Sequence, residues 1–230
     1  MPVPTIIAID GPAASGKSTL GYRLAVFLNY LFFDTGVMYR ALTWEAIITG
    51  QPINDESAIT QLAQKIQIDV LPPSRQNGRP YTVMANGVDI TDEIHCSEVD
   101  ANVSQVSAYP GVRQALTLQQ RRIGLRGNVV MVGRDIGTIV LPEAGLKIYL
   151  DASVEERARR RYQELLSHHN DATYEMILDS MRRRDKIDST RSVAPLLPAP
   201  DAIIINTDGI SSDQVLSQIK GLLLIDLLDE

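Results

Sequence analysis

Eight residues near the start of the chain, Gly11-Pro12-Ala13-Ala14-Ser15-Gly16-Lys17-Ser18, fit the pattern G-x-x-x-x-G-K-[ST] that cradles a triphosphate, and Thr19 follows directly. The glycines let the backbone wrap closely around an anion. Its N–H groups and the positive end of the following helix then face the phosphates. In that arrangement Lys17 reaches the β- and γ-phosphates, and the Ser18 hydroxyl takes Mg²⁺, which bridges phosphate oxygens and offsets developing charge. The chemistry requires a strand before the loop and a helix after it. Here an apolar run, Thr5 to Asp10, precedes it, and apolar residues at helical spacing (Leu20, Leu24, Phe27, Leu28, Leu31) follow.

Such a cradle serves kinases and nucleotide-driven switches alike, so the other polar residues must decide between them. Asp34-Thr35-Gly36-Val37-Met38-Tyr39-Arg40 follows a second apolar run, and Gly133-Arg134-Asp135-Ile136-Gly137-Thr138 follows a third. Both fall at carboxyl ends of expected strands, where ligands of open α/β sheets bind. A further basic cluster, Arg182 to Arg191, ends an expected helix, and Arg182 and Arg183 read as a solvated helix end favoured by the macrodipole. His168-His169 carries no metal reading, because adjacent histidines on a helix diverge and no matching ligands lie nearby.

The elements that must position these residues follow from apolar patterning. Runs ending in a polar or glycine signal recur at Thr5 to Asp10, Leu31 to Asp34, Val129 to Gly133, Leu146 to Asp151 and Ile203 to Asn206, which predicts buried parallel strands. Helical period between them, and at Val215, Leu216, Ile219, Leu222 and Leu223, predicts a doubly wound α/β sheet of about five parallel strands. One stretch breaks the alternation. Tyr81 to Ala85 and Val88 to Thr91 flank Asn86-Gly87, the strongest short signal for a two-residue hairpin, so a small antiparallel insert is expected over residues 62–104. Ser153-Val154-Glu155-Glu156 reads as a capping box that starts a helix carrying Arg157, Arg160 and Arg161 along one side. Trp44, Met38 and Leu42 read as core.

Composition bounds the partners. The chain has 230 residues and a formal net charge of −6, which argues against a generic nucleic-acid binder. Cys96 is the only cysteine, so no intramolecular disulfide forms, and the short first apolar run reads neither as signal peptide nor as membrane span. The expectation is a single cytoplasmic P-loop kinase domain over residues 1–230, a monomer, with a lid and arginine-rich segment at residues 154–191.

The phosphate loop, the Asp34-Thr35-Gly36 to Arg40 run, Asn102-Val103-Ser104-Gln105-Val106-Ser107, Gly133 to Thr138, and Arg184 through Asp188 and Arg191 to Leu196 together resemble the bacterial cytidylate kinases. The resemblance covers nearly the whole chain. It implies ATP, with Mg²⁺, as donor and CMP or dCMP as acceptor. It implies that Ser104, Arg113 and Asp135 read cytosine, that Arg40, Arg134 and Arg191 grip the acceptor phosphate, that Arg184 and Asp188 meet the ribose, and that Thr35 belongs to the substrate site. Arg157 and Arg161 would belong to a short lid that closes on ATP, and the hairpin insert to the monophosphate-binding extension. One departure is Ala14, which stands where the family often has glycine. Lys17→Ala should lower kcat by orders of magnitude while CMP still binds; isothermal titration that finds lost CMP affinity beside normal turnover would contradict this.

Overall fold

The computed structural model describes residues 3–73, 79–167, 172–191 and 193–228. From β1 (Ile6–Asp10) the chain passes through the phosphate loop into α1 (Lys17–Leu28), β2 (Leu31–Asp34), α2 (Gly36–Ile48) and α3 (Glu56–Lys65). Three short strands follow, β3 (Ile68–Leu71), β4 (Thr82–Ala85) and β5 (Val88–Asp89), then α4 (Ser97–Val106) and α5 (Pro110–Gly124). The chain returns through β6 (Val129–Gly133), β7 (Leu146–Asp151), α6 (Val154–Ser167), α7 (Tyr174–Thr190), β8 (Ile203–Asn206) and α8 (Ser212–Leu228).

Strands without polar alternation must be covered on both faces, and the central strand β6 is buried along its whole length. The main sheet runs β2-β6-β1-β7-β8 with every pair parallel. The connection leaving β1 runs towards β2, and the one leaving β6 runs the other way to β7. A crevice therefore opens beyond their carboxyl ends, the place where such sheets bind ligands. Register makes the crevice level: Asp10 pairs with Gly133, and Asp34 with Val132. The phosphate loop, Thr35 and Arg134-Asp135 thus emerge side by side.

The expected hairpin is present, with Asn86 and Gly87 both at positive φ (50° and 83°) as its turn requires. A third strand joins it. Ile68–Leu71 pairs antiparallel with β4, from Ile68 opposite Ala85 to Leu71 opposite Thr82. Four residues directly behind a helix leave no periodicity to read, although Ile68 and Val70 alternate inward. This small sheet has no core of its own, for Ile68, Val70 and Val83 belong to the same apolar cluster as Ile9 and Val130.

Two local expectations are corrected. Phe27 does not face the core; it is about half exposed, with Lys220 Nζ 3.8 Å above its ring, and Leu31 already belongs to β2. Only half of the capping box forms at α6. The Glu156 amide donates to Ser153 Oγ at 3.3 Å, but the Ser153 amide donates to Asp208 at 2.9 Å while Glu156 itself pairs with Arg159 and Arg160. Met38 and Leu42 are fully buried and Trp44 packs on the core. His168-His169 lies outside the described residues.

Helix α1 sits very close to the sheet at Gly21, where a Cβ would lie 2.5 Å from Val132 Cγ1 and 3.1 Å from the Phe32 ring. Val132 is β-branched and cannot swing aside freely. Overpacking of this kind costs about 1–3 kcal/mol, which outweighs the roughly 1 kcal/mol that alanine gains over glycine inside a helix. Gly21→Ala should therefore lower the urea midpoint of unfolding; an unchanged or higher midpoint would show that helix and sheet separate at little cost.

Candidate active site

The phosphate loop owes its shape to three backbone positions. Gly11 admits no side chain, since a Cβ there would lie 2.3 Å from the Leu150 carbonyl oxygen. Gly16 and Ala14 both sit at positive φ, 92° and 58°. For alanine that geometry costs roughly 1–2 kcal/mol, which is why glycine suits the position. Its methyl is compensated by packing on a small apolar cluster of Ala158, Ile177 and Met181 between α6 and α7.

Lys17 is buried, and its Nζ donates to the Pro12 carbonyl at 2.8 Å, which points the ammonium back across the loop. Burial first, and then the neighbouring Arg134 guanidinium, pushes its pKa well below the usual lysine value. The Ser18 hydroxyl donates to Asp34 Oδ2 at 2.8 Å, and Asp34 Oδ1 accepts the Gly36 amide at 3.0 Å. A hydroxyl and a carboxylate side by side are hard oxygen donors, the set Mg²⁺ takes, so these residues fit such an ion. Asp34 was visible in the sequence only as part of its run.

Beneath the loop, Asp10 joins the two halves of the crevice. Its Oδ1 accepts the Ile136 amide and its Oδ2 the Gly137 amide, both at 2.8 Å, which ties the end of β1 to the turn that carries Asp135. Burial outweighs these bonds and pushes its pKa up to about 6.

Across the crevice, Arg113 from α5 donates to Asp135 Oδ2 at 2.7 Å, with both side chains buried. Its guanidinium also lies 5.6 Å from the Tyr39 ring centroid. Burial alone would lower the Arg113 pKa, but Tyr39 and Asp135 outweigh it and hold it above the usual value. Thr35 is buried and donates to the Val132 carbonyl at 3.1 Å. Arg134 Nε donates to Asp188 Oδ2 at 3.0 Å, and Arg191 reaches Asp188 Oδ1 at 3.4 Å. Arg40 Nη2 donates to Asp100 Oδ1 at 2.5 Å and its Nη1 to the Ile94 carbonyl at 3.0 Å. Arg184 opens onto the same cleft while protein crowds its other sides; burial, then Arg134, lowers its pKa, and burial, then Arg113, does the same for Arg191.

These groups line one cleft of about 780 Å³. It gathers Ala13, Ala14, Lys17 and Ser18 of the loop with Thr35, Arg40, Arg113, Arg134 and Asp135. Ser104, Arg161, Arg184, Asp188 and Arg191 complete the wall, Ser104 from an exposed position on α4. Arg161 is half exposed and pairs with Glu164 at 2.8 Å. A second cavity of about 500 Å³ lies on the other side of the loop, where Ser15, Gly16 and Thr19 meet Leu150, Ile210 and Val215. Gly11, Pro12 and Arg157 line neither. Arg157 is buried and paired with Asp185, so it is not turned into the cleft. Orphaned donors mark the larger cleft: Arg113 Nε and Arg191 Nη2 are buried without a hydrogen-bond partner. Sequence reasoning gave no role to three carboxylates, Asp34, Asp100 and Asp185, each of which holds a predicted site residue.

A parallel sheet with a phosphate loop at its switch point, opening onto a cleft walled by arginines, defines a P-loop phosphotransferase. Residues 7–223 match the family described as Cytidylate kinase. A cytidylate kinase of Herpetosiphon aurantiacus is 51% identical over 98% of this chain and 97% of its own length. One from Roseiflexus castenholzii is 51% identical over 94% and 92%, and one from Bacillus velezensis 46% identical over 93% of each. The chain belongs to the cytidylate kinase family. Among the described residues no helix is long and apolar enough to cross a membrane.

Asp10 generates a pH test. Its pKa in the folded protein, about 6, lies above the ordinary carboxyl value of 3.8, so the folded state holds a proton that the unfolded chain has lost. Its contribution to stability therefore rises as pH falls through 6 and levels off below 3.8. Relative to Asp10→Asn, the unmodified protein should gain about 2 kcal/mol of unfolding free energy between pH 7 and pH 4.5. Denaturant titrations at the two pH values check this; a gap that is constant or shrinks on acidification would contradict it.

Proposed function

We propose that this chain transfers the γ-phosphoryl group of ATP to CMP, giving CDP and ADP, and takes dCMP as well. The observation that carries the reading is the buried Arg113–Asp135 pair, with an orphaned Arg113 Nε, in the same cleft as Lys17 of the phosphate loop. Cytosine offers an exocyclic amine to a carboxylate and acceptors to a guanidinium and a hydroxyl, which suits Asp135, Arg113 and Ser104. Uracil would set a carbonyl against Asp135, and each buried group left unpaired costs about 1–3 kcal/mol.

Arg40, Arg134 and Arg191 exchange their carboxylate partners for the acceptor phosphate, where planar bidentate donors fit an oxyanion well. Arg184 and Asp188 face the ribose. The adenine of ATP enters the smaller cavity against Leu150, Ile210 and Val215, and its triphosphate crosses the loop to Lys17. Ser18 and Asp34 would hold Mg²⁺, which would supply positive charge to offset that of the phosphate oxygens. The acceptor phosphate is largely dianionic at neutral pH, so no strong general base is needed. One of its oxygens bonds to the γ-phosphorus as the bond from that phosphorus to the β–γ bridging oxygen breaks, and ADP leaves with the electron pair. The protein holds two mutually repelling anions in line and excludes water. Residues 62–104, which hold the small sheet and most of α4, act as the monophosphate-binding part and residues 154–191 as the lid of one cytoplasmic, monomeric kinase.

A coupled assay of ADP release over CMP, dCMP, UMP and AMP tests the reading. CMP and dCMP should exceed UMP in kcat/KM by at least about tenfold, and Asp135→Asn should narrow that ratio. Equal turnover of UMP or AMP by the unmodified protein would end it.

A further inference from the structure

Arg157 commits all three guanidinium nitrogens to other parts of the protein. Its Nε donates to the Ala152 carbonyl at 3.0 Å, just beyond β7. Its Nη1 donates to the Ala13 carbonyl in the phosphate loop at 3.2 Å and to Asp185 Oδ1 at 3.1 Å, and its Nη2 to Asp185 Oδ2 at 2.5 Å. One side chain on α6 therefore joins the phosphate loop to α7. The two-pronged bond to Asp185 fixes angle as well as distance, as parallel N–H···O pairs do. It is also well shielded, with the Arg157 side chain 4% and the Asp185 side chain 28% exposed.

A second contact follows the same route. The Ala14 methyl packs on the apolar cluster of Ala158, Ile177 and Met181 that α6 and α7 share apart from the main core. The loop thus touches this helical pair through an apolar contact and, by way of Arg157, through an ionic one.

Helix α7 carries acceptor-side residues immediately around the strut. Arg184 precedes Asp185, and Asp188 lies one turn later, holding Arg134 and Arg191. Asp185 and Asp188 lie three residues apart on one continuous helix, so a tilt at the first carries the second with it. We propose that Asp185 is a positioning residue that couples the two nucleotide sites. Through Arg157 it ties the acceptor-binding end of α7 to the phosphate loop, so that ATP and CMP each bind more tightly when the other is present. The proposal rests on the donor and acceptor assignments made above and adds the residue that links them.

Titration calorimetry on the full chain tests it, measuring CMP affinity with and without a saturating non-hydrolysable ATP analogue and Mg²⁺. In the unmodified protein the analogue should tighten CMP binding about fivefold or more, and CMP should tighten analogue binding by the same factor, since binding coupling is reciprocal. In Asp185→Asn, which keeps the size and gives up the charge, the factor should fall below about twofold while CMP affinity without the analogue stays within about threefold. A merely structural role would weaken CMP binding in both conditions and leave the ratio intact.

Removing one partner of a buried pair is destabilising, so the double variant Arg157→Met with Asp185→Leu, which leaves no lone charge, gives the same readout if the single variant does not fold. It too should lose the coupling. Parental coupling in either variant, or no coupling in the unmodified protein, would overturn the proposal while CMP binding itself left the assigned function standing. Failure of the unmodified protein to bind CMP at all would overturn both.

Discussion

Mutual repulsion among crowded positive groups governs this molecule. Lys17, Arg40, Arg134, Arg184 and Arg191 converge on one cleft in a chain whose net charge is −6. Two like charges 4 Å apart repel by about 4 kcal/mol at the effective dielectric of a protein surface. The lowered pKa values of Lys17, Arg184 and Arg191 record both that repulsion and the burial of the groups. The protein answers with carboxylates of its own. Asp100 stands against Arg40, Asp188 against Arg134 and Arg191, and Asp135 against Arg113. These pairs keep the cleft compatible with a folded chain before any nucleotide arrives, and phosphate is the natural replacement because two of its oxygens can accept the paired N–H bonds of a guanidinium as a carboxylate does.

The sheet turns that electrostatic requirement into a defined place. Because Asp10 pairs in register with Gly133 and Asp34 with Val132, three loops bearing charged groups leave the sheet level with one another. Asp10 then pins two of them together through the Ile136 and Gly137 amides. The remaining charges arrive from α2, α4 and α5, whose packing on a core shared with the small antiparallel sheet fixes how far apart they stand, and from α7. Helix α7 holds a special position because it packs with α6 in a separate, smaller apolar cluster. A unit with little buried apolar surface is the part of a fold that moves at low cost, and here it carries Arg184 and Asp188.

Legibility in the sequence followed the range of each interaction. The phosphate loop could be read in full because its chemistry is local: eight consecutive residues, two glycines at special backbone positions and flanking elements of opposite period. The five parallel strands were equally plain, since unbroken apolar runs stopping at Asp10, Asp34 or Gly133 have few other solutions. Strand β3 was not, because Ile68–Leu71 is too short to show a period against the helix before it. Phe27 was misplaced because a helical apolar stripe does not reveal that a lysine from α8 will sit over its ring. The carboxylate partners were invisible for a different reason. Ser18 and Asp34, Arg157 and Asp185, and Arg40 and Asp100 lie far apart in the chain, so only the folded sheet brings each pair together. Resemblance named the arginines and two of the acids that hold them, Asp135 and Asp188, but gave no role to Asp34, Asp100 or Asp185.

The exchange of protein carboxylates for nucleotide phosphate is the central claim, and a crystal structure with CMP and a non-hydrolysable ATP analogue tests it most directly. The account predicts that Arg40 has parted from Asp100, that Arg134 and Arg191 have loosened from Asp188, and that all three guanidinium groups lie within hydrogen-bond distance of the CMP phosphate. Intact arginine–aspartate pairs, with that phosphate bound elsewhere, would contradict it.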